Sequence, residues 1–259
     1  MKQKPLPLDV RLMNSTATVL FAACAVLLVA AVGWWALRHP LFAIGGIVVE
    51  GEVAHNSVAT LRANVMPRLT GNFFTVDLQQ ARAAFEAVPW VRRAVVRRQF
   101  PNKLRVQLQE HQAAAFWGTD SESRLVNTWG EVFEANAGDV DEELPRLAGP
   151  EGAAGELLAM QRTLAPLLAP LELGVEQVEL TGRGGWTLRL DSGATVELGR
   201  GSAAEVLARG QRFAQTLAQV TAKYDRKPEA LVAADLRHVN GYAIRLRGVT
   251  TTEVAAQRN

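Results

Sequence analysis

Apolar positions follow three patterns along the chain, and each predicts a different kind of element. Residues 15–37, STATVLFAACAVLLVAAVGWWAL, carry no charge for 23 positions. As a helix such a run reaches about 34 Å, against a bilayer hydrocarbon core of about 30 Å, so it predicts one membrane-spanning helix. In DLQQARAAFEAV the apolar residues Leu78, Ala81, Phe85 and Val88 recur at helical spacing. Asp77 is an N-cap for that helix, Gln80 completes a capping box, and the helix ends before Pro89. Asn56 or Ser57 starts an earlier helix that runs to about Met66 and is broken by Pro67. KLRVQLQE alternates strictly, with Leu104, Val106 and Leu108 on one side and Lys103, Arg105, Gln107 and Gln109 on the other, as a half-buried strand does. FPNK before it is a turn, and VRRAVVRRQF is its hairpin partner. With the β-branched strand FAIGGIVVEG (42–51), the order β-α-α-β-β makes one small α+β module.

Downstream, RLVNTWGEVFE reads as two short strands around a turn at Asn127–Gly130. The Pro/Gly-rich LPRLAGPEG (144–152) leads to a helix at about 153–168 with Leu157, Met160, Leu164 and Leu168 on one face. Strands are predicted at about 174–181, 186–190 and 194–198, the last two joined by an Asp191-Ser192-Gly193 turn. A long helix from Ser202 to about Lys223 and two final strands, ALVAADLR and GYAIRLRG, follow. The expected fold class is α+β: a single N-terminal transmembrane helix, the small β-α-α-β-β module, then a larger mixed β-rich domain with two or three helices. The boundaries are a tail at 1–14, the helix at 15–37, the module at 40–112, the β domain at 113–250 and a flexible tail at 251–259.

Charge orients the anchor. Lys2, Lys4 and Arg11 precede it, which places the short tail in the cytoplasm and the bulk of the chain across the membrane, while Trp34 and Trp35 stand where an interfacial aromatic belt is expected. The uncharged run is too long for a cleaved signal peptide. Phe21 occupies the position where a lipoprotein signal at Cys24 wants a small aliphatic residue, so Cys24 reads as a small lipid-compatible side chain.

Six Lys or Arg between Arg92 and Arg105 raise the question of nucleic acid. The first 14 residues, with three bases and one acid, account for the whole net charge of +2, and the remaining 245 are neutral overall. A phosphate-neutralising surface needs a net excess, so the arginines read as a solvated sheet face. From Asp120 to Glu143 the balance reverses, with eight acids against Arg124 alone, another solvated face or a surface that steers a partner.

Catalytic patterns are missing. Gly199-Arg200-Gly201-Ser202-Ala203-Ala204 fits G-x-G-x-x-A but follows an antiparallel hairpin, and a Ser202–Glu205 capping box explains it as a helix start without a dinucleotide. Histidines 39, 55, 111 and 238 share no H-E-x-x-H spacing, and a lone cysteine offers no zinc cluster. There is no G-x-S-x-G or S-x-x-K nucleophile, and the Asp141-Glu142-Glu143 triplet lies in a polar loop. No catalytic residue, cofactor or metal is expected, and the chain reads as no enzyme.

Several stretches in combination resemble the FtsQ family of bacterial cell-division proteins. FAIGGIVVEG follows the anchor, and PWVRRAVVRRQFPNKLRVQLQEHQAAAFW is similar to the end of that family's POTRA domain, with its Pro-Trp-Val, its Arg–aromatic–Pro-Asn turn and a Glu closing the last strand. LVNTWGEVF and LPRLAGP resemble the start of the family's β domain, and ATVELGR and ADLRHVNGYAIRL its end, so the likeness covers about 40–248. The resemblance implies a non-enzymatic divisome scaffold of the inner membrane, single-pass, with its bulk in the periplasm at the division septum. It implies binding of the periplasmic parts of FtsB and FtsL, with the POTRA module (42–111) handling recruitment and no nucleic acid or small-molecule substrate involved. By position, the FtsB contact maps to Asp235, Leu236, Arg237, His238, Asn240 and Gly241 and to the strand Tyr242, Ala243, Ile244, Arg245, Leu246 and Arg247, where the partner adds a strand to the sheet edge.

The residues support that placement on their own. Tyr242, Ile244 and Leu246 alternate with Ala243, Arg245 and Arg247, and a final strand is readily left as an edge whose backbone groups a partner strand can pair. Gly241 after Asn240 suits a tight turn with close backbone approach. The plainer reading is an ordinary last strand that its arginines protect from aggregation. Two positions depart from the family: His238 stands where Tyr is usual, giving a smaller contact, and Leu246 where Trp is common. Two rival functions are a POTRA-bearing protein-translocation or assembly factor and an envelope enzyme acting on peptidoglycan; a single module, no barrel-length series of strands and no catalytic motif count against both.

Overall fold

The computed structural model describes residues 8–37, 39, 42–51, 53–119, 124–140, 143–238 and 240–249. The fold is α+β, with five α-helices among the described residues. The chain divides into two compact units, Met1–Glu110 and His111–Asn259.

In the first unit, helix α1 (Leu8–Leu37) contains a stretch long and apolar enough to cross a membrane, Leu12–Trp35, none of it buried by protein. The helix starts seven residues before the expected position 15, because Ser15, Thr16 and Thr18 do not stop it. Their hydroxyls bond back to the carbonyls of Leu12, Leu12 and Asn14, satisfying themselves inside the helix.

A three-stranded sheet follows, in the order β1 (Gly46–Gly51), β3 (Lys103–Glu110), β2 (Val91–Gln99). β2 and β3 form the expected antiparallel hairpin and β1 lies parallel to β3. Helices α2 (Val58–Val65) and α3 (Leu78–Glu86) cover one face, where Leu61, Val65, Ala84 and Phe85 pack on Ile47, Val91, Ala94, Val106 and Leu108. Ser57 caps α2 through the Thr60 N–H, and Asp77 caps α3 through the N–H groups of Gln79 and Gln80. Gln80 does not close a capping box; its Oε1 accepts from Thr70 Oγ1 instead.

The buried carboxylate of Glu110 ends β3 and organises the corner opposite the hairpin tip. It accepts the N–H of Ala54 at 2.9 Å and of His55 at 3.1 Å, and the Asn56 amide at 3.2 Å; that amide also donates to Pro89 O. His55 stacks on Trp90, with ring centroids 3.8 Å apart.

The second unit is built on one nine-stranded sheet in the order β12-β11-β10-β9-β8-β7-β4-β5-β6. Its strands are β4 (Ala113–Trp117), β5 (Arg124–Asn127), β6 (Val132–Glu134), β7 (Arg146–Ala148), β8 (Val175–Leu180), β9 (Trp186–Leu190), β10 (Thr195–Gly199), β11 (Leu231–Asp235) and β12 (Ala243–Leu246). Helices α4 (Ala154–Leu168) and α5 (Ala203–Ala222) share its core, with Leu157, Leu164, Phe213 and Leu217 against Trp186, Leu188, Val196 and Leu198. Glycine within a helix costs about 1 kcal/mol. Gly210 stands in α5 because a Cβ there would come within 2.6 Å of Leu164 Cδ2 on α4.

Candidate partner-binding edge

Among the described residues the last strand, β12, pairs only with β11, antiparallel, and so forms one end of the sheet. Its burial alternates: Leu246 is buried, Tyr242 and Ile244 half-buried, and Ala243, Arg245 and Arg247 exposed. The Arg247 N–H donates to Ala230 O at 2.8 Å. Along an antiparallel strand alternate residues turn their backbone groups to the same side, so the N–H and C=O of Ile244 face the open edge.

Two contacts hold this edge to α5. The Tyr242 hydroxyl lies 2.8 Å from Thr216 Oγ1, and its ring meets Phe213 edge to face. Between the strands, Asp235 accepts three bonds from Arg237: from its N–H at 3.0 Å, Nε at 2.8 Å and Nη2 at 2.6 Å. The Arg237 side chain, then its N–H, holds the Asp235 carboxyl well below the usual carboxylate range, and the Asp235 carboxylate raises the Arg237 guanidinium in return.

The other expected contact residues divide by burial. Leu236 and Leu246 turn into the core, so any contact they make is through the backbone. Arg237, His238, Asn240 and Gly241 are exposed; Val239 lies outside the described residues. Gly241 is not the constrained turn glycine expected: its φ is not positive, and a Cβ there would meet open space.

Tertiary structure adds a basic groove that the linear reading missed. Arg200, Arg209 and Arg212 line a space of about 340 Å³ with Arg237, His238 and Glu205. The spacing of Glu205, Arg209 and Arg212 along α5 is the signal that could have placed them on one face. At its mouth the G-x-G-x-x-A stretch is the expected helix start: Ser202 and Glu205 form a reciprocal capping box, whose Ser202 N–H and hydroxyl lower the Glu205 pKa. Gly199 sits at a β-bulge with φ +81°, where a Cβ would come within 2.7 Å of Arg237 Cγ.

The basic hairpin and the acidic stretch resolve in part. Arg98 donates to the carbonyls of Phe73, Phe74 and Val76, and Arg105 Nε stands 3.4 Å from Glu50. Glu131 accepts the Asn127 amide, while Asp120, Glu122, Asp141 and Glu142 lie outside the described residues, as do the terminal segments 1–7 and 250–259. Among the described residues no group of three or more His, Cys, Asp or Glu side chains could hold a metal ion.

Two family models match the chain. The FtsQ-type POTRA domain matches residues 42–111, and the C-terminal domain of cell division protein FtsQ/DivIB matches 115–237. Full-length likeness agrees. The chain is 43% identical over 242 residues to the cell division protein FtsQ of Burkholderia pseudomallei (strain K96243), covering 93% of this chain and 94% of that one. It is 38% identical over 257 residues to the FtsQ of Bordetella pertussis (strain Tohama I), covering 92% of each, and 36% identical over 249 residues to that of Thiomonas arsenitoxydans, covering 95% and 90%. With the POTRA-type unit, the mixed nine-stranded sheet and the membrane-length helix in hand, these likenesses make the chain a cell-division protein that belongs to the FtsQ family.

Proposed function

We propose that the chain is a non-enzymatic divisome scaffold of the inner membrane, anchored by α1 with its N-terminus in the cytoplasm, which binds the periplasmic parts of FtsB and FtsL at the septum and links early to late division proteins. Its domains are 40–112 and 113–250, and the FtsB site runs from Asp235 to Arg247. The observation that carries this reading is the outer side of β12, unpaired among the described residues, an edge that a partner strand satisfies by main-chain pairing while Arg245, Arg247 and Arg237 select its side chains. The opposite edge, β6, is three residues long, preceded by Glu131 and ending on Glu134, a poorer template. Lys2, Lys4 and Arg11 support the orientation through the excess of positive charge left in the cytoplasm.

Calorimetric titration of the full chain in nanodiscs with the periplasmic part of FtsB from the same organism tests the proposal. The intact chain binds, a chain truncated before Asn240 does not, and Arg245→Glu weakens binding about tenfold, or ~1.4 kcal/mol, with little change in stability. No binding by the intact chain would refute the assignment; undiminished binding by a truncated but folded chain would move the site elsewhere.

A further inference from the structure

Four phenylalanines from three separate segments meet near the hairpin tip of the POTRA-type unit. The ring centroids of Phe42 and Phe74 are 5.0 Å apart, those of Phe74 and Phe73 5.2 Å, and those of Phe73 and Phe100 6.3 Å. Phe73 is buried, but Phe74 is 43% and Phe100 80% exposed. A single exposed apolar side chain is ordinary; a contiguous set of rings with no polar tip marks a contact surface.

The cluster stands on a rigid base. Arg98 ties the turn carrying Phe73 and Phe74 to β2 through three carbonyls, and Gly45 N–H bonds Asn102 O beside Phe100 at 2.8 Å. The Phe73 N–H bonds Phe42 O at 2.8 Å, pinning the chain soon after it leaves α1. Leu37, the last residue of α1, and Phe42 are five residues apart, and at no more than about 3.6 Å per residue Phe42, the near end of the cluster, stays within about 18 Å of the helix end. Exposed Lys103 stands at the hairpin tip, paired with Gln99 next to Phe100, and no acid lies between Trp90 and Gln109 along the hairpin. Asp77, beyond Val76, is engaged as the cap of α3.

We propose that Phe74 and Phe100 dock into the headgroup–acyl boundary of the bilayer that α1 crosses, with Lys103 on its anionic headgroups. The tether selects this occupant: a surface held so near the membrane meets lipid at high effective concentration, and rings backed by a cation are what a bilayer interface takes up. The docked unit would hold a fixed end towards the membrane and present the opposite end, at Glu110, outward. This inference rests on α1 being a membrane anchor, and the test separates the two.

The photoreactive residue p-benzoylphenylalanine is placed singly at positions 27, 58, 74 and 100 of the full chain in phosphatidylethanolamine–phosphatidylglycerol nanodiscs, and phospholipid adducts are read by mass after irradiation. Position 27 lies within the apolar stretch; exposed Val58 lies by the Glu110 corner, an eight-residue strand away from the hairpin tip. The expected result is a one-phospholipid mass shift at 27, 74 and 100 and none at 58. Adducts at 27 but at neither 74 nor 100 would overturn the docking and leave the anchor standing, as would equal adducts at 58 and 100. No adduct at 27 would overturn the anchor and the docking together.

Discussion

The hydroxyls of Tyr242 and Thr216 stand 2.8 Å apart and join the last strand of the sheet to α5. The bond fixes the half-buried face of β12 against the helix, which leaves the strand's other side as a straight, pre-formed edge. Tyr242→Phe keeps the ring on Phe213 and removes only this bond, so denaturant unfolding should show a loss of about 1 kcal/mol. Partner binding at the edge should weaken by less than Arg245→Glu weakens it, because the strand remains in place.

Glu110 should be a stability hotspot of the POTRA-type unit. Glu110→Ala strands the Ala54 and His55 N–H groups and one bond of the Asn56 amide in a corner where the carboxylate itself is buried. Unsatisfied buried donors cost about 1–3 kcal/mol each; Ala54 and His55 are exposed enough for water to replace part of the carboxylate, so a loss of about 1–2 kcal/mol, mostly from buried Asn56, is expected. Glu110→Gln, which can accept one such bond and not all of them, should fall between wild type and Ala when denaturant unfolding is followed by circular dichroism.

The Asp235–Arg237 pair sets a pH dependence with a definite sign. Folding lowers the Asp235 pKa, so the pair's contribution is fully present above the unfolded value of about 4 and is lost as pH falls through the lower folded value. The difference in Tm between wild type and Asp235→Asn should therefore stay constant from about pH 8 to pH 5 and close only below about pH 4. A difference that changed around neutral pH would point to another group than Asp235.

Much of this structure was legible locally. The caps at Ser57, Asp77 and Ser202, the hairpin around Phe100–Asn102, the length of α1 and the in–out pattern of 242–247 all follow from forces that act within a few residues: backbone donors needing acceptors, and apolar side chains needing one face. β4 escaped notice because Ala113-Ala114-Ala115 has no bulky alternation, and three-residue β7 is too short for a period. Beyond the hairpins, the order of strands could not be read. Whether β12 ends the sheet, whether Arg98 holds the Phe73 turn, and whether Arg200 and Arg212 share a groove with Arg237 depend on contacts between distant residues. The amino-acid sequence by itself determined most of the elements, the membrane-length helix and the family. Only tertiary packing decided which edge stayed open and which rings came together, because closing those loops is favourable only when the whole core closes with them.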